Sequence, residues 1–249
     1  MNCFDCDTAY GRGAVALPRE IETADDLIAE MDHSGIDEAL VWHRDCLERD
    51  FNAGNQRLDE IDAYPRLHRT MTFVPTCCDE MPSAEDFVKE ARAHGVRAFR
   101  AFPTTHQFSL DPVSCGDLLD LFSACGTPLL IPLGEIPGGW DAIYRLLRYF
   151  PRLPLIVTET GCWGQDRYFR PLMKTYPRFF ISMNRLETAG QIKSIVDRVG
   201  FKHLVFGSGL PRNYPGGYLL SLSRAGISEE ARAAIARGNL ERLLKEAAW

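Results

Sequence analysis

At 249 residues, 45% of them hydrophobic, the chain is long enough to bury a large core, and α/β barrels of this length commonly fold as one unit, so a single domain over 1–249 is expected. A net charge of −6, a sequence pI near 5.6 and scattered basic residues leave no footprint for nucleic acid or an anionic membrane. No apolar run approaches the roughly 18 residues of a membrane span, and the N-terminus lacks the order of a secretory signal, so the reading is a cytoplasmic protein with a small-molecule ligand and a possible homo-oligomeric state.

The chain opens on Asn2 to Gly13, which reads as a short strand running into a polar, glycine-bearing loop. Strict strand alternation would put Asp5 and Asp7 on one face, where two acids need partners, a metal or solvent. Thr23 to Gly35 then carries a threonine cap with Asp26 three residues on, apolar positions at helical spacing and a closing glycine. It predicts a helix. Ile36 to Trp42 reads as a strand ending at His43, Asn55 to Tyr64 as a helix stopped by Pro65, and Leu67 to Val74 as the third strand. Ser83 to Gly95 repeats the capped-helix-then-glycine pattern, and Val96 to Phe102 follows as a strand closed by Pro103.

The alternation continues with a helix over Asp111–Ala124, a strand over Pro128–Ile131, a helix over Trp140–Tyr149 and a strand over Leu155–Thr158. A helix ending near Tyr176, a strand over Arg178–Met183, a helix over Gly190–Val199 and a strand over His203–Phe206 complete the count. The tail from Ser228 to Lys245 reads as two helical segments broken at Gly238 and packed over the barrel. Short apolar strands alternating with amphipathic helices make parallel β/α units with both sheet faces covered. The expected fold is therefore α/β, a single (β/α)8 TIM-like barrel with C-terminal helices packed on the outside. An open doubly wound sheet shares much of the pattern, but no Gly-x-Gly-x-x-Gly follows the first strand, and Pro137-Gly-Gly139 lacks a Walker lysine.

Eight cysteines (Cys3, Cys6, Cys46, Cys77, Cys78, Cys115, Cys125 and Cys162) do not fall into paired Cys-x-x-Cys sets. Reduced packing or loop residues are expected rather than a zinc site or a disulfide scaffold.

Barrel chemistry sits at the carboxyl ends of the strands. Residues just past each apolar run are Asp5 and Asp7, His43 with Arg44, Thr76 with Cys77, Arg100 with His106, Glu135, Glu159, Asn184 with Arg185, and Ser208 with Arg212. Four acids and two histidines in that set, with Arg100 and Arg212 as counter-charges or carboxylate anchors, suit acid/base work. Asp5, Asp7, Glu159 and His43 are the candidate catalytic residues, and Arg100, His106, Glu135, Asn184 and Arg212 the candidate substrate contacts.

These residues carry a resemblance. Phe4-Asp-Cys-Asp-Thr-Ala-Tyr-Gly11 is similar to the apolar-Asp-x-His-x-His-x-Gly opening of the amidohydrolase-related, TIM-barrel metal-dependent hydrolases, a family that also includes decarboxylases and lactonases. Gly54-Asn-Gln-Arg-Leu58 through Tyr64-Pro-Arg-Leu67 resembles the family's Asn-containing helix and the turn after it. Gly126 to Glu135 and Leu155 to Gly161 resemble its histidine-bearing strands, Leu204 to Pro211 its Phe-Gly-Ser-Asp-x-Pro turn, and Ile235 to Leu244 its closing helix. The resemblance spans nearly the whole chain and implies a barrel hydrolase or lyase.

It also implies zinc, and here the sequence departs. At the positions the resemblance assigns to metal-binding histidines stand Asp7, Ala9, Pro132 and Glu159, and Gly209 replaces the catalytic aspartate. Alanine, proline and glycine supply neither ligand nor base, so the expectation is no cofactor, with Mg²⁺ or Mn²⁺ at Asp5, Asp7 and Glu159 as the alternative and no zinc. Two functions follow: a small-molecule hydrolase or lyase working through carboxylates, or a non-catalytic barrel that binds a ligand or an active relative.

Overall fold

A computed structural model describes residues 1–16, 19–161 and 163–248. Eight parallel strands follow one another in sequence order: β1 (Phe4–Tyr10), β2 (Glu38–His43), β3 (Leu67–Thr72), β4 (Ala98–Arg100), β5 (Leu129–Pro132), β6 (Leu155–Thr158), β7 (Phe179–Ser182) and β8 (Leu204–Val205). The ends meet where Cys6 N donates to Phe206 O at 2.9 Å and Ala9 N to Leu210 O at 2.8 Å, beside a parallel bridge between Thr8 and Leu210. The sheet thus comes round on itself as the predicted (β/α)8 barrel.

Local chemistry explains the helices. In α1 (Ala24–Ser34), Thr23 accepts from Asp26 N while the Asp26 carboxylate reaches back to Thr23 N, a reciprocal cap, and Gly35 closes the helix in the left-handed conformation. Two short helices, α2 (Asp45–Glu48) and α3 (Phe51–Arg57), precede a 3-10 stretch over Leu58–Ala63. The predicted helix over Asn55–Tyr64 thus begins earlier and tightens midway. In α4 (Ala84–Ala93) Ser83 caps Asp86 N, and α5 (Pro112–Cys125) starts on Asp111 with proline in its first turn. The outer ring continues with α6 (Gly139–Tyr149), α7 (Asp166–Thr175) and α8 (Gln191–Val199), and α9 (Pro215–Ser223), which the sequence pattern does not announce, follows β8.

The tail forms α10 (Glu229–Ala233), a π turn over Ala234–Gly238 and α11 (Asn239–Lys245). Gly238 keeps φ −57 and ψ −36, so the helix is not broken there as expected; it widens by one turn and continues. Leu240, Leu243 and Leu244 then join Phe4, Cys6, Leu40, Ala98, Leu130, Ile156, Phe180 and Val205 in one buried cluster. Those strand residues line the barrel interior, so α11 seals its amino-terminal end. Leu243→Ala is expected to cost about 2–5 kcal/mol by loss of apolar burial plus the cavity left behind. Urea unfolding measures it, and a change well under about 1 kcal/mol would mean α11 does not seal the barrel.

The seven described cysteines are free thiols, as expected, and Cys162 lies outside the described residues. Among the described residues no helix is long and apolar enough to cross a membrane.

Candidate functional site

The first strand does not alternate regularly. Asp5 pairs with Ala39 and Thr8 with Val41, so the register slips by one residue between them. A bulge of this kind re-aims side chains. Asp5 and Asp7 consequently do not act as a same-face pair, which corrects the expectation from strict alternation. Asp5 sits beside Ala39 of the helix-facing layer and accepts through Oδ1 from Asp7 N (2.9 Å) and Ser208 N (3.0 Å). It ties β1 to the turn after β8. Asp7 turns instead into the barrel, where Arg100 Nη1 donates to Oδ1 at 2.7 Å and Asn184 Nδ2 to Oδ2 at 3.3 Å.

Asp5 is fully buried, its Oδ2 has no hydrogen bond, and burial is the main cause that pushes its pKa up to about 7. A carboxyl whose folded pKa lies above its unfolded value holds a proton in the native state that the unfolded chain releases. Stability from this group is complete below pH 4 or so and is lost as pH rises to about 7, with a slope approaching 1.4 kcal/mol per pH unit. Asp5→Asn is expected to flatten that slope in denaturant unfolding followed from pH 4 to 8. An identical slope in the variant would assign the dependence elsewhere.

Arg100 is almost completely buried, with its guanidinium carbon 4.7 Å from the centroid of Trp42 and 5.1 Å from that of Phe102. Two aromatic faces and one carboxylate fix its position. Around it runs a small cleft walled by Asp7, Ala9, Trp42, Arg44, Leu47, Glu48, Arg100, Glu159, Gly209, Leu210, Pro211 and Arg212. Asp7, Glu159, Arg100 and Arg212, named from the sequence, therefore converge here. Asn184 joins them from behind: its Oδ1 accepts from Glu159 N at 3.0 Å while its amide holds Asp7.

Glu159 follows directly after β6 and has φ +54, the left-handed region that a residue with a side chain rarely enters. Such a conformation costs about 1–3 kcal/mol and marks a position held by its surroundings. Burial and the neighbouring Asp7 raise its pKa, partly offset by Arg212, Arg100 and Arg185. Arg212 Nη2 lies 3.5 Å from Glu159 Oε1, with 48% of its side chain exposed against 21% for the glutamate.

The remaining sequence candidates sit apart from this cleft. His43 packs edge-on against Tyr10, accepts from Asp45 N at 3.2 Å through Nδ1, and has its pKa lowered by burial. It is the neutral ring that shapes the turn after β2. Glu135 clamps the loop after β4 by accepting from Thr105 N and Oγ1, both at 3.0 Å. His106 lies edge-on to Phe102 and is half-buried rather than reaching the cleft floor. Trp42, by contrast, walls the cleft although it was hidden within an apolar run. Arg44 also contributes, because bare backbone at Gly13 lets its guanidinium lie under the first loop, where a Cβ would fall 1.5 Å from Nη2. At Gly209, φ is +72 and a side chain would meet Asn213 and Asn184 at 2.7 and 3.1 Å, so the amides occupy the space of any acid there.

No family model matches the chain, and no curated protein does. Solved structures do match over its whole length. An uncharacterized TIM-barrel protein from Bordetella bronchiseptica is 17% identical with TM-score 0.76 and full coverage of both chains. A putative amidohydrolase from Staphylococcus aureus is 14% identical, TM-score 0.77, over 98% of this chain and 100% of that one. A 5-carboxyvanillate decarboxylase from Novosphingobium aromaticivorans, complexed with manganese and 4-hydroxy-3-methoxy-5-nitrobenzoic acid, is 15% identical, TM-score 0.76, over 98% and 96%. At these identities the likeness establishes the fold, and the structural neighbours are amidohydrolase-type barrels, in keeping with the sequence resemblance.

The manganese in that neighbour, and in a mutant of the same enzyme, corrects the expectation of no cofactor: barrels of this shape do carry a metal. Among the described residues no three histidine, cysteine, aspartate or glutamate side chains are grouped to hold an ion. Both oxygens of Asp7 are engaged, Asp5 is held by the backbone N–H groups of Asp7 and Ser208, and Glu159 faces a guanidinium. As arranged, Asp5, Asp7 and Glu159 do not fit Mg²⁺ or Mn²⁺, whose sites gather several free oxygens.

Proposed function

We propose that the chain is a hydrolase or lyase for a small molecule, with Glu159 giving and taking the proton at the barrel mouth. The observation that carries this reading is Glu159 itself, a partly exposed carboxylate in a left-handed backbone, whose pKa is raised by burial and by Asp7. A general acid/base works best when both protonation states are accessible near the working pH, and those two causes move a glutamate in that direction. Asp7, pinned by Arg100 and Asn184, is in this reading a fixed negative charge that strengthens Glu159's hold on its proton. Arg212, half-exposed at the rim, is the side chain that a substrate would displace from Glu159 and contact on entry.

Neighbours named as decarboxylases and as a putative amidohydrolase support the two reaction classes, and nothing in the comparisons supports the non-catalytic alternative. The test is product detection across small lactones, esters, amides and carboxylic acids, with wild type beside Glu159→Gln. Turnover that survives the substitution would overturn the assignment.

A further inference from the structure

Three residues that line the cleft, Trp42, Arg44 and Arg100, each carry a buried donor nitrogen that makes no hydrogen bond. The Trp42 indole Nε1–H has no hydrogen bond although the residue is 5% exposed, and Arg100 Nε has none at 1% exposure. Arg44, 6% exposed, leaves Nη1 without a hydrogen bond, its nearest ion-pair oxygen being Glu20 Oε2 at 3.7 Å. Native proteins leave few buried polar atoms unpaired, and three of one polarity in the wall of one cleft call for an acceptor. An indole can only donate, and so can a guanidinium.

Both guanidiniums are also held still by their other nitrogens. Arg100 gives Nη1 to Asp7 at 2.7 Å, and Arg44 gives Nε and Nη2 to Glu48 at 3.2 and 2.8 Å. Donors fixed in advance lose little freedom on binding. We propose that the floor of the cleft is a site for a small, singly charged oxyanion headgroup such as a carboxylate, held by Trp42 Nε1–H, Arg44 and Arg100. This deepens the proposed function, and rests on it only in identifying the bound anion with part of the substrate.

Size and charge restrict the ligand further. The free space is about 20 Å³, room for one or two water-sized groups, so a headgroup enters while the body of the molecule stays outside, toward Arg212. The walls carry Arg44, Arg100 and Arg212 against Asp7, Glu48 and Glu159. A matched set of charges disfavours a dianion, which would bring two uncompensated charges into a buried site.

The experiment is a titration of ¹⁵N-labelled wild-type protein with sodium acetate at constant ionic strength, read on the tryptophan indole resonances. Trp42's is identified as the one missing from Trp42→Phe, which keeps an aromatic ring over Arg100. The Trp42 indole signal is expected to move and saturate. Acetate affinity, read on the backbone amide of Gly209 in both proteins, is expected to fall about tenfold or more in Trp42→Phe. A stationary Trp42 indole signal, or equal affinity in the variant, overturns the site. Sulfate binding as tightly as acetate overturns its restriction to single charge. Glu159→Gln separates the two proposals: acetate binding absent in wild type while the substitution abolishes turnover removes the anion site alone. Acetate binding intact with turnover unaffected by the substitution supports the anion site and removes the role of Glu159.

Discussion

Arg100→Met is expected to lower the stability of the protein by about 3–5 kcal/mol, the usual consequence of deleting one partner of a buried ion pair. For a chain of this length that is a fall in Tm of roughly 6–20 °C, readable by circular dichroism. The mechanism is specific. Asp7 is almost completely buried, its strongest partner is the 2.7 Å bond from Arg100, and only the 3.3 Å bond from Asn184 remains to its carboxylate once the guanidinium is gone. Removing both partners leaves no unpaired charge, so Asp7→Leu with Arg100→Met is expected to recover most of the loss. A single variant within about 1 kcal/mol of wild type would show that the pair does not hold the barrel mouth together.

Glu159→Gln is expected to reduce kcat by about 10²- to 10⁴-fold, the range in which positioned proton transfer contributes, while Tm stays within a few degrees. Glutamine is nearly isosteric and inherits the backbone bond from Glu159 N to Asn184, so the left-handed turn survives. In wild type the limb of kcat/KM governed by this group is expected above the 4.5 of an ordinary glutamate, because burial and Asp7 both favour the protonated form. The limb is expected to vanish in the variant's residual activity. A limb at the ordinary value, or one unchanged by the substitution, would assign the proton to another group.

The two substitutions read different parts of one arrangement. Arg100 answers for the framework of the cleft and Glu159 for its chemistry, so a stability loss without the activity loss, or the reverse, identifies which part of the reading fails. Asp7 links them, being the neutralised partner of the first and the electrostatic neighbour of the second.

The alternation of β and α units was legible from residues 23–35 and 83–95 onward because caps, glycine stops and apolar spacing act over a few residues. Thr23 with Asp26 and Ser83 with Asp86 make the caps that their spacing announces. The position of Glu159 at the end of an apolar strand was legible for the same local reason. Trp42 was not, since a tryptophan inside Ala-Leu-Val-Trp reads as core until the fold puts Arg100 across its face. The closing helix was expected to pack over the barrel, but only the assembled interior shows which end Leu240, Leu243 and Leu244 seal.

By itself, then, the sequence determined the number and order of the β/α units and the set of polar residues at the strand ends, because those depend on short-range periodicity and capping. Which of them meet was decided by the tertiary structure. A one-residue slip in β1 beyond Asp5 leaves Asp5 to clamp backbone and turns Asp7 to Arg100, while His43 at the end of β2 and His106 and Glu135 in the loops stay out of the cleft and Arg212 reaches Glu159. Side-chain direction reverses with every residue of a strand, so such a slip, set by how the barrel closes, decides which polar groups face one another.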